Sequence, residues 1–217
     1  VLRGVLDSRI DVLIGGDFSG RPKAWRDRSY RRMVEAAVAL GTERGYNVLR
    51  DASGLAASPA PLLALLPPRP GMPIQHGPPL ADSTARALDL IGAAPSGFLL
   101  VVESEVIDEA AHANDLAETM LGMRELDEAV ARVLEWNAGR DDTLVLVLAD
   151  HETGGPHLLE GEYAGGRVAV RWAHNDHSSQ LVPVFAFGPG AQHFGGVLDN
   201  TEIAPRLAAL LGLEVLP

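Results

Sequence analysis

The apolar runs of the chain predict the strands of a sheet. Residues 97–102 and 143–149 form continuous apolar runs without alternating polar positions, which is typical of central strands that helices cover on both faces. Residues 181–187 predict a third apolar strand. Two shorter runs, at residues 11–16 and 46–50, predict two more, and the first of these ends in a glycine turn. We therefore expect strands along the whole length of the chain.

Segments between these strands have the apolar spacing of helices. The predicted helices cover residues 27–44, 80–93, 108–137 and 201–211, with Asn200 or Thr201 as the N-cap of the last. Because strands alternate with helices, the sequence predicts an α/β fold with a mostly parallel, doubly wound sheet and helices on both faces. We expect residues 1–217 to form a single domain, since this length is enough for one proper core.

One segment departs from this alternation because it is rich in proline. Residues 52–79 hold eight of the 15 prolines of the chain. Proline fixes φ and has no backbone N–H, so such a density disfavours a long regular element. We expect this segment to be an excursion over the surface.

Composition and charge narrow the kinds of function. The chain has 18 basic and 29 acidic residues and a formal net charge of −11, which argues against binding nucleic acid through its phosphates. A site for an anion must then be made positive locally, most simply by metal ions. There is no cysteine, so a metal must be held by histidine, carboxylate or backbone groups. No apolar run approaches the roughly 18–20 residues that span a bilayer, and we expect no membrane partner.

Ionisable residues follow two of the predicted strands. Glu103 comes directly after residues 97–102, and Asp150 and His151 come directly after residues 143–149. In sheets of this kind, functional side chains gather at the carboxyl ends of the strands. A polar turn whose glycines supply positive φ is an alternative interpretation of the Asp150–His151 pair taken alone.

Histidines occur in two further clusters. Asp108 and His112 stand four residues apart at the start of a predicted helix, so both lie on one helix face, one turn apart. A capping aspartate beside a solvated histidine would have the same spacing. His174 and His177 precede the strand at residues 181–187, and for His174 we favour an exposed loop.

Together these segments resemble the alkaline phosphatase family. Residues 102–114, V-E-S-E-V-I-D-E-A-A-H-A-N, are similar to the family's V-E-x-x-x-I-D-x-x-x-H block, and residues 149–155, A-D-H-E-T-G-G, to its bacterial signature. Residues 177–189 and 199–203 resemble its last histidine block and the start of its closing helix. The likeness keeps the family's order and spacing over residues 97–213. It implies the carboxy-terminal portion of an alkaline-phosphatase-like domain.

The resemblance also implies roles for individual residues. Those that match the protein ligands of the family's first zinc are Asp108, His112 and His177. Two ligands of the second zinc are matched by Asp150 and His151, and one ligand of the magnesium ion by Glu103. The implied activity is the hydrolysis of small-molecule phosphate monoesters with Zn²⁺ and Mg²⁺. A homodimer and a periplasmic or secreted location are implied in the same way.

The family's nucleophilic serine lies in a D-S-A-like block upstream of the matched segments, so we expect it before Val1 and expect this chain alone to be nearly inactive. Ser83 superficially matches such a block, but it opens a predicted helix, where serine is common. Asp17 could pass for the family's first-strand aspartate, although its neighbours fit a later strand better. The alternatives are a phosphodiesterase or sulfatase of the same superfamily, and a metal-binding domain without catalysis.

Overall fold

The computed structural model describes residues 2–16, 28–69, 72–162 and 167–213. The chain divides into two compact units. Unit 1 comprises Val1–Val106 and Arg124–Arg132, and unit 2 comprises Ile107–Met123 and Val133–Pro217. That the whole chain acts as one domain stays a prediction.

Unit 1 contains a parallel sheet with helices before and after its strands. Its elements, in chain order, are α1 (Leu2–Asp7), β1 (Val12–Gly16), α2 (Arg28–Glu43), β2 (Asn47–Leu49), a 3₁₀ turn (Ala52–Gly54), β3 (Leu62–Leu66), β4 (Pro68–Arg69), β5 (Met72–His76) and α3 (Leu80–Ile91). Strand β3 lies between β1 and β2 and is parallel to both. The strands and helices predicted at residues 11–16, 27–44, 46–50 and 80–93 are therefore confirmed, apart from their ends.

Strand β3 is buried on both faces. Its five residues are between 0% and 4% exposed. Leu63 and Leu65 pack on one face with Leu6 of α1 and with Val34 and Ala37 of α2. The alternate residues of β3 pack on the other face with Leu55 and with Leu90 of α3. A parallel sheet covered on both faces, as predicted, is present here.

The interpretation of residues 52–79 as a surface excursion is wrong for Leu62–Leu66, which form this central strand. The prolines bound the strand rather than interrupt it, since Pro61 and Pro67 flank the run. The carbonyl of Pro61 also accepts a hydrogen bond from the N–H of Asn47 at 2.8 Å, so this proline takes part in the pairing with β2.

Unit 2 contains pairs of antiparallel strands. From residue 145 onwards its elements are β6 (Val145–Leu148), β7 (Glu152–Thr153), β8 (Pro156–Glu162), β9 (Arg167–Trp172), β10 (His177–Ser178), β11 (Val184–Phe187), 3₁₀ turns at Ala191–Phe194 and Asn200–Glu202, and the last helix, α6 (Ile203–Leu210). The pairs are β6 with β11, β7 with β10 and β8 with β9. The strands predicted at residues 143–149 and 181–187 are confirmed in shorter form, but they pair antiparallel with each other.

The strand predicted at residues 97–102 and the N-cap predicted for the last helix need correction. Residues 97–102 form no strand in the structure, and Leu99 and Val101 are 62% and 80% exposed. An apolar run predicts burial, but a strand also requires backbone pairing with a neighbour. Neither Asn200 nor Thr201 is the N-cap of the last helix: α6 follows Glu202, which makes no side-chain cap hydrogen bond. Asp199 caps the 3₁₀ turn that precedes α6, since its carboxylate accepts from the Thr201 N–H at 3.0 Å.

The predicted helix at residues 108–137 is two helices, α4 (Glu105–His112) and α5 (Leu116–Trp136). Asn114 has a φ of 55°, a left-handed conformation that asparagine tolerates better than most residues. Asp115 then caps α5, since its carboxylate accepts from the Glu118 N–H at 3.1 Å. Among the described residues, no helix is both long and apolar enough to cross a membrane.

Candidate metal centre

Helix α4 presents Asp108 and His112 on one face. The predicted spacing brings His112 Nε2 within 3.3 Å of Asp108 Oδ2. His112 is the last residue of the helix, and the left-handed turn at Asn114 follows it directly. The end of α4 therefore places an imidazole and a carboxylate together.

The short ladder of β7 and β10 positions two other histidines. His151 directly precedes β7, and His177 begins β10 opposite Thr153. After β7 the chain turns sharply at Gly154, whose φ is 84°. A Cβ on Gly154 would lie 2.7 Å from the ring of Trp172 and 3.0 Å from the carbonyl oxygen of Ala111. Only glycine fits this turn, and the turn brings the ladder close to the end of α4.

These elements bring the predicted side chains together. His112 Nε2 lies 3.0 Å from His177 Nε2, and His177 Nε2 lies 3.4 Å from Asp108 Oδ1. The ring of His151 stacks on that of His177, with ring centroids 3.6 Å apart. Asp150 Oδ2 lies 3.3 Å from His151 Nε2. The histidine cluster, as we name it, comprises Asp108, His112, Asp150, His151 and His177.

The expected convergence of Asp108, His112 and His177 is thus present in the structure. The donor atoms of Asp108, His151 and His177 also lie within 4.8 Å of one another, as ligands of one metal ion would. His151 therefore lies within ligand range of two proposed first-site ligands as well as beside Asp150. How the five residues divide between two ions stays a prediction.

The protonation of His112 is set by its surroundings. Its Nδ1–H donates to the carbonyl oxygen of Asn175 at 2.8 Å, because a carbonyl can only accept. This hydrogen bond raises the pKa of His112 above its ordinary value; burial opposes the effect, and the charge of Asp108 adds to it. In neutral His112 the lone pair is then on Nε2, which faces His177 and Asp108.

The donor chemistry of the cluster fits a metal ion. Two Nε2 atoms at 3.0 Å repel one another if both carry lone pairs, unless a proton or a cation lies between them. Imidazole nitrogen together with carboxylate oxygen is a ligand set that zinc accepts in catalytic sites. The side chains of the four members nearest one another are 29% to 45% exposed, so a small anion can reach the cluster from solvent.

Three other residues singled out in the sequence belong to unit 1 or lie outside the described residues. Glu103 belongs to unit 1, where it is exposed and lies outside any helix or strand, and its assignment to magnesium stays a prediction. Ser83 also belongs to unit 1, near the start of α3, where its N–H donates to the Pro79 carbonyl at 3.1 Å. Asp17 lies outside the described residues.

Sequence reasoning gave no role to the residues that support the cluster. The hydroxyl of Thr153 lies 2.5 Å from Asp108 Oδ1 and 3.2 Å from His151 Nδ1. Because alternate residues of a strand share a face, the spacing of residues 151 and 153 could have indicated this contact. The contact of Thr153 with Asp108, which is 45 residues away in sequence, could not be predicted from the spacing of residues.

Glu152 supports the opposite face of the ladder. Its carboxylate accepts hydrogen bonds from the Ser178 hydroxyl and the Gly155 N–H, and its side chain is 15% exposed. Burial raises the pKa of Glu152, but these hydrogen bonds and the charges of His174 and His151 together outweigh burial and hold the pKa below its ordinary value. His174 Nε2 lies 3.8 Å from the same carboxylate. The side chain of His174 is 33% exposed, so the exposed loop favoured for it is only partly correct.

Comparison with known proteins gives a consistent result. A family model described as alkaline phosphatase matches residues 6–167 and 163–213. The chain is 32% identical to streptomycin-6-phosphate phosphatase of Streptomyces griseus, over 95% of the chain and 57% of that protein. It is 28% identical to alkaline phosphatase of Escherichia coli (strain K12), over 97% of the chain and 54% of that protein. The chain thus spans about half the length of these relatives.

Solved structures agree with the sequence comparison. A cold-active alkaline phosphatase from the psychrophile Shewanella sp. superposes with a TM-score of 0.78 at 25% identity, over 97% of the chain and 67% of that structure. Alkaline phosphatase from the Antarctic bacterium TAB5 gives a TM-score of 0.70 at 24% identity, over 93% of the chain and 59% of that structure. The second likeness concerns the fold alone.

Proposed function

Since the chain belongs to the alkaline phosphatase family, we propose that it carries the metal-holding part of a zinc- and magnesium-dependent phosphate monoester hydrolase. The observation that supports this most directly is the 3.0 Å separation of His112 Nε2 and His177 Nε2. These nitrogens come from different elements, and Asp108 faces both of them. A structural role would not require two imidazole nitrogens to point at each other.

The residues of the cluster and a bound metal ion would have different roles in this reaction. Zinc bound there would supply Lewis-acid polarisation of a phosphoryl oxygen and orient the reacting groups. Asp108 offsets positive charge between the imidazoles, and the Asn175 carbonyl holds His112 with Nε2 as the free nitrogen. With a net charge of −11, the chain as a whole repels anions, so phosphate would bind only where positive charge is concentrated.

The metal-binding part of the proposal is tested by calorimetric titration of the 217-residue chain with zinc. We expect tight binding in the unaltered chain and its loss in His112→Ala and His177→Ala. His157→Ala is the matched control, because His157 is an exposed histidine of β8. Unchanged zinc affinity in His177→Ala would show that the cluster does not hold the metal.

The catalytic part is tested with an aryl phosphate monoester at alkaline pH. We propose that the nucleophile lies outside these 217 residues, so that the chain alone is nearly inactive while the complete gene product is active and loses activity to a chelator. Hydrolysis by the chain alone that disappears in Ser83→Ala would instead make Ser83 the nucleophile. Faster turnover of an aryl phosphodiester than of the monoester would favour a phosphodiesterase.

Two further properties are proposed from the family resemblance alone. One is a periplasmic or secreted location, which fractionation of cells that express the complete gene would test. The other is a homodimer, which sedimentation of the same product would test.

A further inference from the structure

Thr153 pairs with β10 in the ladder and also contacts several residues of the histidine cluster. Its side chain contacts Asp108 and His151, and its backbone is the register partner of His177. Three cluster residues that come from three different segments of the chain thus meet at this one residue. It is partly buried, which protects these contacts from competition with water.

The direction of each hydrogen bond follows from the chemistry of the groups. An ionised carboxylate only accepts, so the Thr153 hydroxyl donates its single proton to Asp108 Oδ1 at 2.5 Å. Having donated that proton, the hydroxyl oxygen can only accept from His151 Nδ1 at 3.2 Å. His151 therefore carries a proton on Nδ1, and its Nε2 is the nitrogen available to a metal ion.

We propose that Thr153 is a positioning residue that fixes the tautomer of His151 and the orientation of the Asp108 carboxylate, so that both present their free donor atoms to the same space. This proposal rests on the metal-binding function proposed above. It also has a parallel within the cluster, since the Asn175 carbonyl fixes the tautomer of His112 in the same way. Both Thr153 and the Asn175 carbonyl contact proposed metal ligands without being proposed as ligands themselves.

The carboxylate needs this support because its two oxygens face different histidines. Asp108 Oδ2 lies 3.3 Å from His112 Nε2, and Oδ1 lies 3.4 Å from His177 Nε2. Rotation of the carboxylate would disturb both contacts, and the hydrogen bond from Thr153 to Oδ1 opposes that rotation. Loss of such a supporting partner typically weakens metal binding by about 10- to 100-fold.

The experiment compares two substitutions at this position. Thr153→Val keeps the shape and removes the hydroxyl, whereas Thr153→Ser keeps the hydroxyl and removes the methyl group. Thr119→Val is the control, because the Thr119 hydroxyl bonds the Asp115 carbonyl of the α5 cap instead. Zinc affinity is measured by competition with a chelator, and ring ¹⁵N NMR of the metal-free chain, at a pH where His151 is neutral, reports which nitrogen of His151 is protonated.

We expect zinc affinity to fall about 10- to 100-fold in Thr153→Val and to change little in Thr153→Ser and Thr119→Val. The proton of His151 should reside on Nδ1 in the unaltered chain and in Thr153→Ser, and should move towards Nε2 in Thr153→Val. Unchanged ring signals of His112 would show that the cluster remains folded. Unaltered zinc affinity and unaltered His151 signals in Thr153→Val would overturn the proposal. If the unaltered chain binds no zinc, the proposed function fails, and the His151 signals alone decide whether Thr153 fixes the tautomer.

Discussion

The sheet of unit 1 and the ladder of unit 2 differ in the kind of side chain that they bring together. Strand β3 places five apolar residues, each at most 4% exposed, between two parallel neighbours. The ladder of β7 and β10 has two residues in each strand, and its pairs are polar: Thr153 with His177 and Glu152 with Ser178. Apolar burial stabilises the first region, whereas hydrogen bonds between charged and polar side chains organise the second.

This difference indicates what each region depends on. Burial of apolar surface stabilises β3 at about 25 cal/mol per Å² without any ligand. The ladder gathers imidazoles and carboxylates whose mutual orientation is held by groups such as Thr153 and Glu152. Net gains from single hydrogen bonds are only about 0.5–1.5 kcal/mol. We therefore expect the stability of unit 1 to depend mainly on its buried apolar side chains, and the stability of the ladder to depend mainly on bound metal.

The largest expected effect is that of Leu63→Ala in the centre of β3. Leu63 is 0% exposed, and an added Cβ at Gly41 of α2 would lie 2.6 Å from its Cδ2 atom. Because helix and strand are in close contact here, truncation should leave a cavity and lower the free energy of unfolding by about 2–5 kcal/mol. Chemical denaturation would measure the loss.

The control for this substitution is Leu159→Ala in β8. Leu159 is 56% exposed, and the change should cost less than about 0.5 kcal/mol. Equal losses from the two substitutions would contradict the view that apolar burial at β3 stabilises unit 1.

A second prediction concerns zinc and the ladder. A ligand that binds only the folded state at 100 times its Kd stabilises by about 2.7 kcal/mol. We expect zinc to slow amide hydrogen exchange at Thr153 and His177 and to leave exchange at Leu62–Leu66 nearly unchanged. In His177→Ala this selective protection should disappear. Equal protection of strand and ladder by zinc would remove the contrast between them.

The same contrast explains which parts of the fold could be predicted. Apolar spacing predicts α2 and α3 well, because these helices bury one face against the sheet. Strand β3 was missed because the segment around it is rich in proline. Proline blocks strand pairing only where its own N–H is needed, and Pro61 and Pro67 lie outside Leu62–Leu66. The pattern of residues within the run was therefore more informative than the composition around it.

The candidate site was predictable only where its signals are local. The four-residue spacing of Asp108 and His112 and the adjacent pair Asp150–His151 are visible in the sequence. The role of Thr153 was not, because it depends on the approach of α4 to β7. The break between α4 and α5 was visible in principle, since Asn114, Asp115 and Glu118 form a stop signal followed by a cap. Continuous apolar spacing obscured that signal.

The smallest expected effect, and the most local, is the titration of His112 in the metal-free chain. Donation of Nδ1–H to the Asn175 carbonyl raises its pKa, burial opposes the rise, and the charge of Asp108 adds to it. A raised pKa in the folded chain means that protonation stabilises the fold at pH values below the unfolded pKa of about 6.5. This stabilisation is lost as the pH rises through the folded pKa. Zinc requires neutral His112, so its affinity should rise over the same interval.

NMR titration of the ring signals measures this directly. Asp108→Asn should lower the pKa of His112 but leave it above the ordinary value, because the larger cause, the hydrogen bond to the Asn175 carbonyl, remains. In the zinc-loaded chain His112 should no longer titrate in this range. If Asp108→Asn returned the pKa fully to its ordinary value, the charge of Asp108, and not the backbone of residue 175, would control His112. The protonation of His112 would then depend on charge pairs within the cluster rather than on its backbone partner.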